Sequence, residues 1–344
     1  MIQNQEEAVG IVNNDNNLPD SPRFGVPLIT IITFTFIICV LPVTFTPSGS
    51  FAGTLFTCVI SGAVFSFLYM TTGYKWLFFL PVIPYLIALL ITRDPLMSVE
   101  ALSFYPASIA FVTTCKKKFS YTSTLITVST SLIVFYACYL MISISAHYGA
   151  LNTETLTTFW NDTVQPLRDT YAQITTIVDG EEVKVYSQDQ INYVVSSMLL
   201  YIPATAVCVT NIVAFIIMSL YSGLAHVFRI KRYITPRRHW KLELSVISAY
   251  IYCAVYLVII FSGGSIIGTV TAVTANLLVI LTPGFSFLGL RSLIYRFRSG
   301  EGRKITVIVL ILTAVFMVIS PSMVFYIMSL TGVIETIVGQ NKFK

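Results

Sequence analysis

The sequence predicts an all-α polytopic membrane helical bundle, and three observations carry the prediction. The chain has 344 residues, 55% of them hydrophobic and only 11% charged. A soluble globular chain carries about 25% charged residues, so this charge cannot cover a water-facing surface. The apolar residues are also clustered. Runs of roughly 18 or more, long enough to cross a bilayer as helices, recur between Val26 and Leu330. The basic residues that separate them favour alternate connections, as membrane topology requires.

About nine spans are expected, at 26–46, 51–72, 75–92, 99–115, 121–147, 192–225, 241–262, 265–292 and 305–330. The stretch before the first, MIQNQEEAVGIVNNDNNLPDSPR, is acidic and rich in Asn. It lacks the basic start of a signal peptide, and residues 1–25 are expected to be a disordered cytoplasmic tail. The third and fourth spans are short and contain Pro81, Pro84 and Pro106. They are either kinked spans or, in an eight-span alternative, a re-entrant pair. The expected divisions are the tail, membrane helices over 26–147, an outer loop at 148–192, membrane helices over 193–332 and a short tail at 333–344.

Orientation follows from Lys and Arg. With the N-terminus cytoplasmic, Arg23, Lys75, Lys116 to Lys118, the basic residues of 229–241 and those from Arg291 to Lys304 fall inside. Only Arg93, Arg168, Lys184, Lys342 and Lys344 of the 21 remain outside.

The outer loop is the only long polar segment after the tail. Leu156, Trp160, Val164, Leu167, Tyr171, Ile174 and Val178 recur at steps of three and four, which makes one apolar helical stripe. Pro166 should kink that helix or start a second one. "DGEE" at 179–182 reads as a turn, and "SQDQ" at 187–190 reads as a capping box that opens the sixth span. The stripe fits either an amphipathic helix on the bilayer or across helix ends, or a lid over an outward-facing cavity.

The inner loop HVFRIKRYITPRRHWK offers Thr235 and Pro236 as an N-cap and first helical residue. Arg229, Lys231, Arg232, Arg237, Arg238 and Trp240 form a candidate cytoplasmic docking or lipid-contact surface. Nucleic acid is not an expected partner, because no soluble domain presents these cations.

No acid or base lies near the middle of any span, which counts against a proton-driven carrier. HExxH, GxSxG and Walker A patterns are missing. No enzyme activity, catalytic residue, cofactor or metal is expected. The six cysteines all lie in or beside apolar runs and read as small membrane-buried side chains.

What remains is neutral polarity. Asn211 and Asn276 sit in two over-long spans that also hold Pro203 and Pro283, the latter followed by Gly284. A proline lacks the N–H that would bond the carbonyl four residues earlier, leaving Leu199 and Val279 in need of a partner. Asn211, Asn276, Pro203, Pro283 and Gly284 are therefore the candidate polar pocket, with interhelical hydrogen bonds as the plainer reading of each amide. A second candidate surface is the small-residue face of the second span, around Gly53, Thr57, Ser61 and Ser66. It suits either internal or intermolecular contact.

The C-terminal half carries a basic loop ending TPRRHWKLEL, the Asn276 span closing in FSFLGLRSLIYRF, and a last span ending SLTGVIET. This order resembles the YybS-like family of uncharacterised bacterial membrane proteins over residues 25–338. Trp240, Asn276 and Gly332 to Glu335 occupy the family's recurrent places, with the final acid slightly displaced. That family is distantly similar to the substrate-binding components of energy-coupling-factor transporters. The resemblance implies a multi-pass protein of the bacterial cytoplasmic membrane that binds a small solute in a neutral pocket, energised by separate subunits. A non-catalytic scaffold or assembly factor for the cell envelope is the alternative. The candidate partners are the lipid bilayer, a small-molecule ligand, and a membrane or cytoplasmic protein.

Overall fold

A computed structural model describes residues 27–45, 51–178, 181–228, 244–261, 269–299 and 321–339, together with 307, 308, 311 and 313. Among them seven helices are long and apolar enough to cross a membrane, and Val246–Phe261 and Val324–Val338 are shorter apolar helices. The chain is an all-α polytopic membrane protein. The expected tail over 1–25, residues 229–241 of the inner loop and the Thr235–Pro236 cap lie outside the described residues. Two compact units divide the chain: residues 1–118 with 216–235, and residues 119–215 with 236–344.

The first unit begins with α1 (Leu28–Phe45) and α2 (Phe51–Thr72). A 3-10 turn (Lys75–Phe79), α3 (Val82–Thr92), α4 (Pro95–Val99), a second 3-10 turn (Glu100–Leu102) and α5 (Phe104–Lys116) follow. Pro42 lies inside α1, but the prolines of the third and fourth expected spans stand at helix starts. Pro84 and Pro106 stand in the first turns of α3 and α5, where a missing N–H costs no ladder bond. Pro95 opens α4 behind Asp94, whose carboxylate accepts from the amides of Leu96 and Met97.

Hydrogen bonds fix how α2 meets the 100–108 stretch. Thr54 Oγ1 donates to Glu100 Oε2 (3.5 Å), Cys58 Sγ to the Ser103 carbonyl (3.6 Å), and Ser108 Oγ to the Gly62 carbonyl (3.1 Å). Both sets of numbers rise together, so α2 and α5 run parallel. A chain that leaves α2 at Thr72 must travel back about 27 Å, 18 residues at 1.5 Å each, before it reaches Glu100. The Lys75–Thr92 segment makes that return, which favours two separate crossings over a re-entrant pair. Part of the small-residue face of α2 packs within the first unit. Ser61 and Ser66 are fully buried, a Cβ at Gly53 would press on the Phe45 ring, and one at Gly62 would press on Ile217.

The second unit holds α6 (Tyr121–Tyr148), α7 (Thr153–Ala172), β1 (Thr175–Val178), β2 (Glu181–Lys184) and α8 (Gln188–Val227), whose last turns belong to the first unit. It continues with α9 (Val246–Phe261), α10 (Thr269–Ser299) and α11 (Pro321–Gly339). The expected capping box is present. Ser187 N–H donates to Gln190 Oε1 at 2.9 Å, and Gln190 N–H to Ser187 Oγ at 3.3 Å. At 40 residues, α8 is about 60 Å long, twice the roughly 30 Å of bilayer hydrocarbon, so its outer turns project.

The apolar stripe of α7 packs on those turns. Val164, Ile191 and Val195 are buried together, with Trp160, Leu167, Tyr171 and Tyr186 around them. Pro166 does not start a second helix, because α7 continues through it to Ala172. Side chains on both sides of the proline share this one packing face, and that outweighs the lost donor. Glu181 and Glu182 are strand rather than turn. The β-branched run Thr175–Val178 pairs antiparallel with Glu181–Lys184, and Asp179 and Gly180 lie outside the described residues.

The backbones of α10 and α11 approach closely. A Cβ at Gly289 would land on the Met328 carbonyl oxygen, and one at Gly332 on that of Phe285. Only glycine permits backbones this close. To one side of the crossing Ser286 Oγ donates to the Phe325 carbonyl (2.9 Å), and to the other Arg296 pairs with Glu335. All of these contacts lie in the C-terminal half of α10, between Phe285 and Arg296, where Phe285 clusters with Val333 and Leu293 with Val324 and Met328. The sequence reading puts one span at 305–330, with Lys342 and Lys344 outside. Of that span the structure describes 307, 308, 311, 313 and the part from Pro321 on, and the helix runs to Gly339 with Glu335 paired to Arg296 of α10.

From this packing, Gly289→Ala or Gly332→Ala should destabilise by about 3 kcal/mol, since a methyl group has nowhere to go, and thermal unfolding in detergent measures it.

Candidate functional site

The site is built where two proline-bearing helices of the second unit meet. Pro203 lies inside α8 and Pro283 inside α10, each within an otherwise continuous helix. In hydrocarbon every exposed backbone group needs a partner from the protein. The Val279 carbonyl that Pro283 leaves open finds one in a side chain of α8, while the Asn276 side chain of α10 meets the rung next to the Leu199 carbonyl and not that carbonyl itself.

Asn276 of α10 reaches the turn of α8 that contains Pro203. Its Oδ1 accepts from the Ala204 amide at 2.9 Å, while Nδ2 donates to the Leu200 carbonyl at 2.7 Å. An ordinary α-helix joins that amide and that carbonyl directly to each other. The Asn276 side chain lies across this rung beside the proline, as a second link between its two ends. Its other Nδ2 hydrogen goes to the Ala272 carbonyl of its own helix at 2.7 Å. Both amide donors and one acceptor position are therefore used.

The reverse contact lies one turn further along. The Val279 carbonyl, four residues before Pro283, accepts from Cys208 Sγ of α8 at 3.4 Å. Leu200–Ala204 faces Asn276 and Cys208 faces Val279, so α8 and α10 run in the same direction. Two neighbouring links complete the polar framework. Ser129 of α6 meets Thr210 of α8 at 2.9 Å, and the buried Tyr252 hydroxyl of α9 meets Ser329 of α11 at 2.7 Å.

The structure brings Asn276 and the Pro203 turn together, but it does not gather all five pocket residues around one point. Asn211 is half-buried on α8, about 10 Å beyond Ala204 along the helix, and its side chain makes no hydrogen bond among the described residues. The rings of Pro203 and Pro283 are exposed. Gly284 packs against Leu244, whose Cδ1 would sit 3.1 Å from an added Cβ. Arg229, Lys231, Arg232, Arg237, Arg238 and Trp240 lie outside the described residues.

Unspent polar groups occur elsewhere, in the first unit. The hydroxyls of Thr57, Ser61 and Ser103 are buried and have no hydrogen-bond partner. Thr57 and Ser61 flank Cys58, and the Cys58 thiol contacts the Ser103 carbonyl, so the three stand on facing segments. Sequence reasoning noted Thr57 and Ser61 as small residues and missed Ser103, because nothing local says which hydroxyl lacks an acceptor. Cys208 was missed as a partner for the same reason. Among the described residues no group of three or more His, Cys, Asp or Glu could hold a metal ion.

Residues 25–336 match the family described as "Predicted membrane protein (DUF2232)". The chain belongs to that family. The DUF2232 match runs through both units and ends within α11. No curated protein and no solved structure matches the chain.

Asn276→Ala should cost about 1–2 kcal/mol and speed hydrogen exchange at the Ala204 amide. In a Pro203→Ala background, where the ladder of α8 can close, the same substitution should cost measurably less. Equal costs in the two backgrounds would show that the amide does not act through the proline.

Proposed function

We propose that this DUF2232 protein is a non-enzymatic, transporter-like component of a bacterial cytoplasmic membrane that binds a small neutral polar solute, with energy supplied by separate subunits. The observation that carries this reading is the trio of buried, unpartnered hydroxyls on Thr57, Ser61 and Ser103. A buried hydroxyl without a partner costs about 1–3 kcal/mol, and a fold that retains three keeps hydrogen-bonding capacity for something other than itself. The half-buried Asn211 amide adds neutral capacity in the second unit. Asn276 contributes as the fastener that holds α8 and α10 at their proline breaks, where bending is easiest.

The energy-coupling-factor analogy agrees with this division of labour. Such a component needs a binding bundle and no nucleotide site of its own. The scaffold reading draws on the outer part of the second unit, where Leu156, Ile174 and Val185 are 49%, 39% and 41% exposed.

A thermal-shift panel of neutral polar metabolites on the purified protein separates the two. At least one compound should raise the unfolding temperature of wild type. The shift should vanish in Thr57→Val, Ser61→Ala and Ser103→Ala, whose unliganded stability should be unchanged or higher, because an unpaired buried hydroxyl is removed. A panel with no shift in wild type would overturn solute binding and leave the scaffold reading.

A further inference from the structure

Among the described residues, the end of the first unit that carries Lys75 and Lys116 to Lys118 is cationic, aromatic and without acids. Parallel packing of α2 and α5 brings together lysines about 40 positions apart in the chain. Lys116 Nζ lies 4.7 Å over the centre of the Tyr69 ring in the last turns of α2, a distance that orients an ammonium group by cation–π attraction. All four lysines are exposed. Between residues 27 and 118 the only acids are Asp94 and Glu100. Asp94 caps α4 and Glu100 sits beside Thr54, both at the opposite end of α2. Among the described residues the only ion pair is Arg296–Glu335 of the other unit, so none of the four lysines has a carboxylate partner.

The same end presents a belt of aromatic surface. Tyr74 and Trp76 stack with ring centres 6.3 Å apart, and each is 53% exposed. Phe78 and Phe79 continue the exposed surface toward Val82 and Ile83 of α3. Tyr and Trp beside lysines mark the level where a membrane protein meets headgroups, and the phenylalanines lie where acyl chains would run.

We propose that this rim binds an anionic phospholipid of the cytoplasmic leaflet. The lysines take the phosphate and any further headgroup charge, Tyr74 and Trp76 sit at the glycerol level, and Phe78 and Phe79 flank the chains. A free phosphate would engage the lysines and ignore the aromatic belt. An acidic soluble protein would have no use for the exposed phenylalanines. A phospholipid uses both, and it supplies the negative charge that the described residues at this end lack. Each lysine should contribute about five-fold to lipid affinity. This site is independent of the hydroxyl trio and of any solute.

The test uses the full chain in a mild uncharged detergent, with phosphatidylglycerol or phosphatidylcholine added, and reads both the unfolding temperature and the lipid retained in native mass spectra. Phosphatidylglycerol should raise the unfolding temperature at least about 5 °C more than phosphatidylcholine and should be retained preferentially. The K75Q/K116Q/K117Q/K118Q variant should lose the preference, and the matching Lys→Arg variant should keep it. If the four-fold variant does not fold, K117Q and K118Q each alone should lower retention about five-fold. Equal effects of the two lipids would overturn the proposal, as would full preference in the glutamine variants. A matching shift with glycerol phosphate would assign a free-anion site instead, and one with polyglutamate would assign an acidic protein surface.

Discussion

A backbone amide or carbonyl inside bilayer hydrocarbon has no water to turn to, and a proline in a spanning helix leaves one carbonyl without its donor. The second unit is arranged around this constraint. Asn276 takes up the Leu200 carbonyl and Ala204 amide beside Pro203, and Cys208 takes up the Val279 carbonyl that Pro283 leaves open. The breaks in α8 and α10 thus become the places where the helices are joined. Register and direction follow, because two rungs one turn apart cannot both form if either helix slides or reverses.

Close backbone approach does for α10 and α11 what side-chain amides do for α8 and α10. Gly289 and Gly332 let the helices meet at their backbones, while Ser286 and Arg296 add directed bonds to α11. Lipid chains are as apolar as leucine, so burial alone does not hold two spanning helices together. Packing without a Cβ and a few directed hydrogen bonds must do it. Parallel pairs recur in both units: α2 with α5, and α8 with α10. Each requires the intervening chain to recross the membrane, so helix contacts carry topological information that hydropathy lacks.

The fold class and most element positions were legible because length, apolarity and capping are local properties. Ser187 and Gln190 announced the start of α8, and Asp94–Pro95 shows how a cap precedes a proline-led helix. The two strands were harder to read, since Thr175–Val178 also continues the apolar stripe of α7. The last helix runs past its expected end at 330 to Gly339, because the polar Glu335 and Thr336 end the hydropathy signal without ending the helix. In the candidate site, simple counting identified Val279 as a carbonyl in need of a partner. It could not identify Cys208 as the donor.

Composition and charge asymmetry were enough to make this a multi-pass membrane bundle with a neutral interior, because transfer into hydrocarbon is priced residue by residue. Which hydroxyls are paired, which amide joins which broken helix, and where the last helix ends were decided by helix register and rotation. Those depend on contacts between residues tens of positions apart. Asn276 illustrates the difference. In the sequence it is a polar residue in want of a partner, and in the structure its partner is the backbone beside a proline 73 residues earlier.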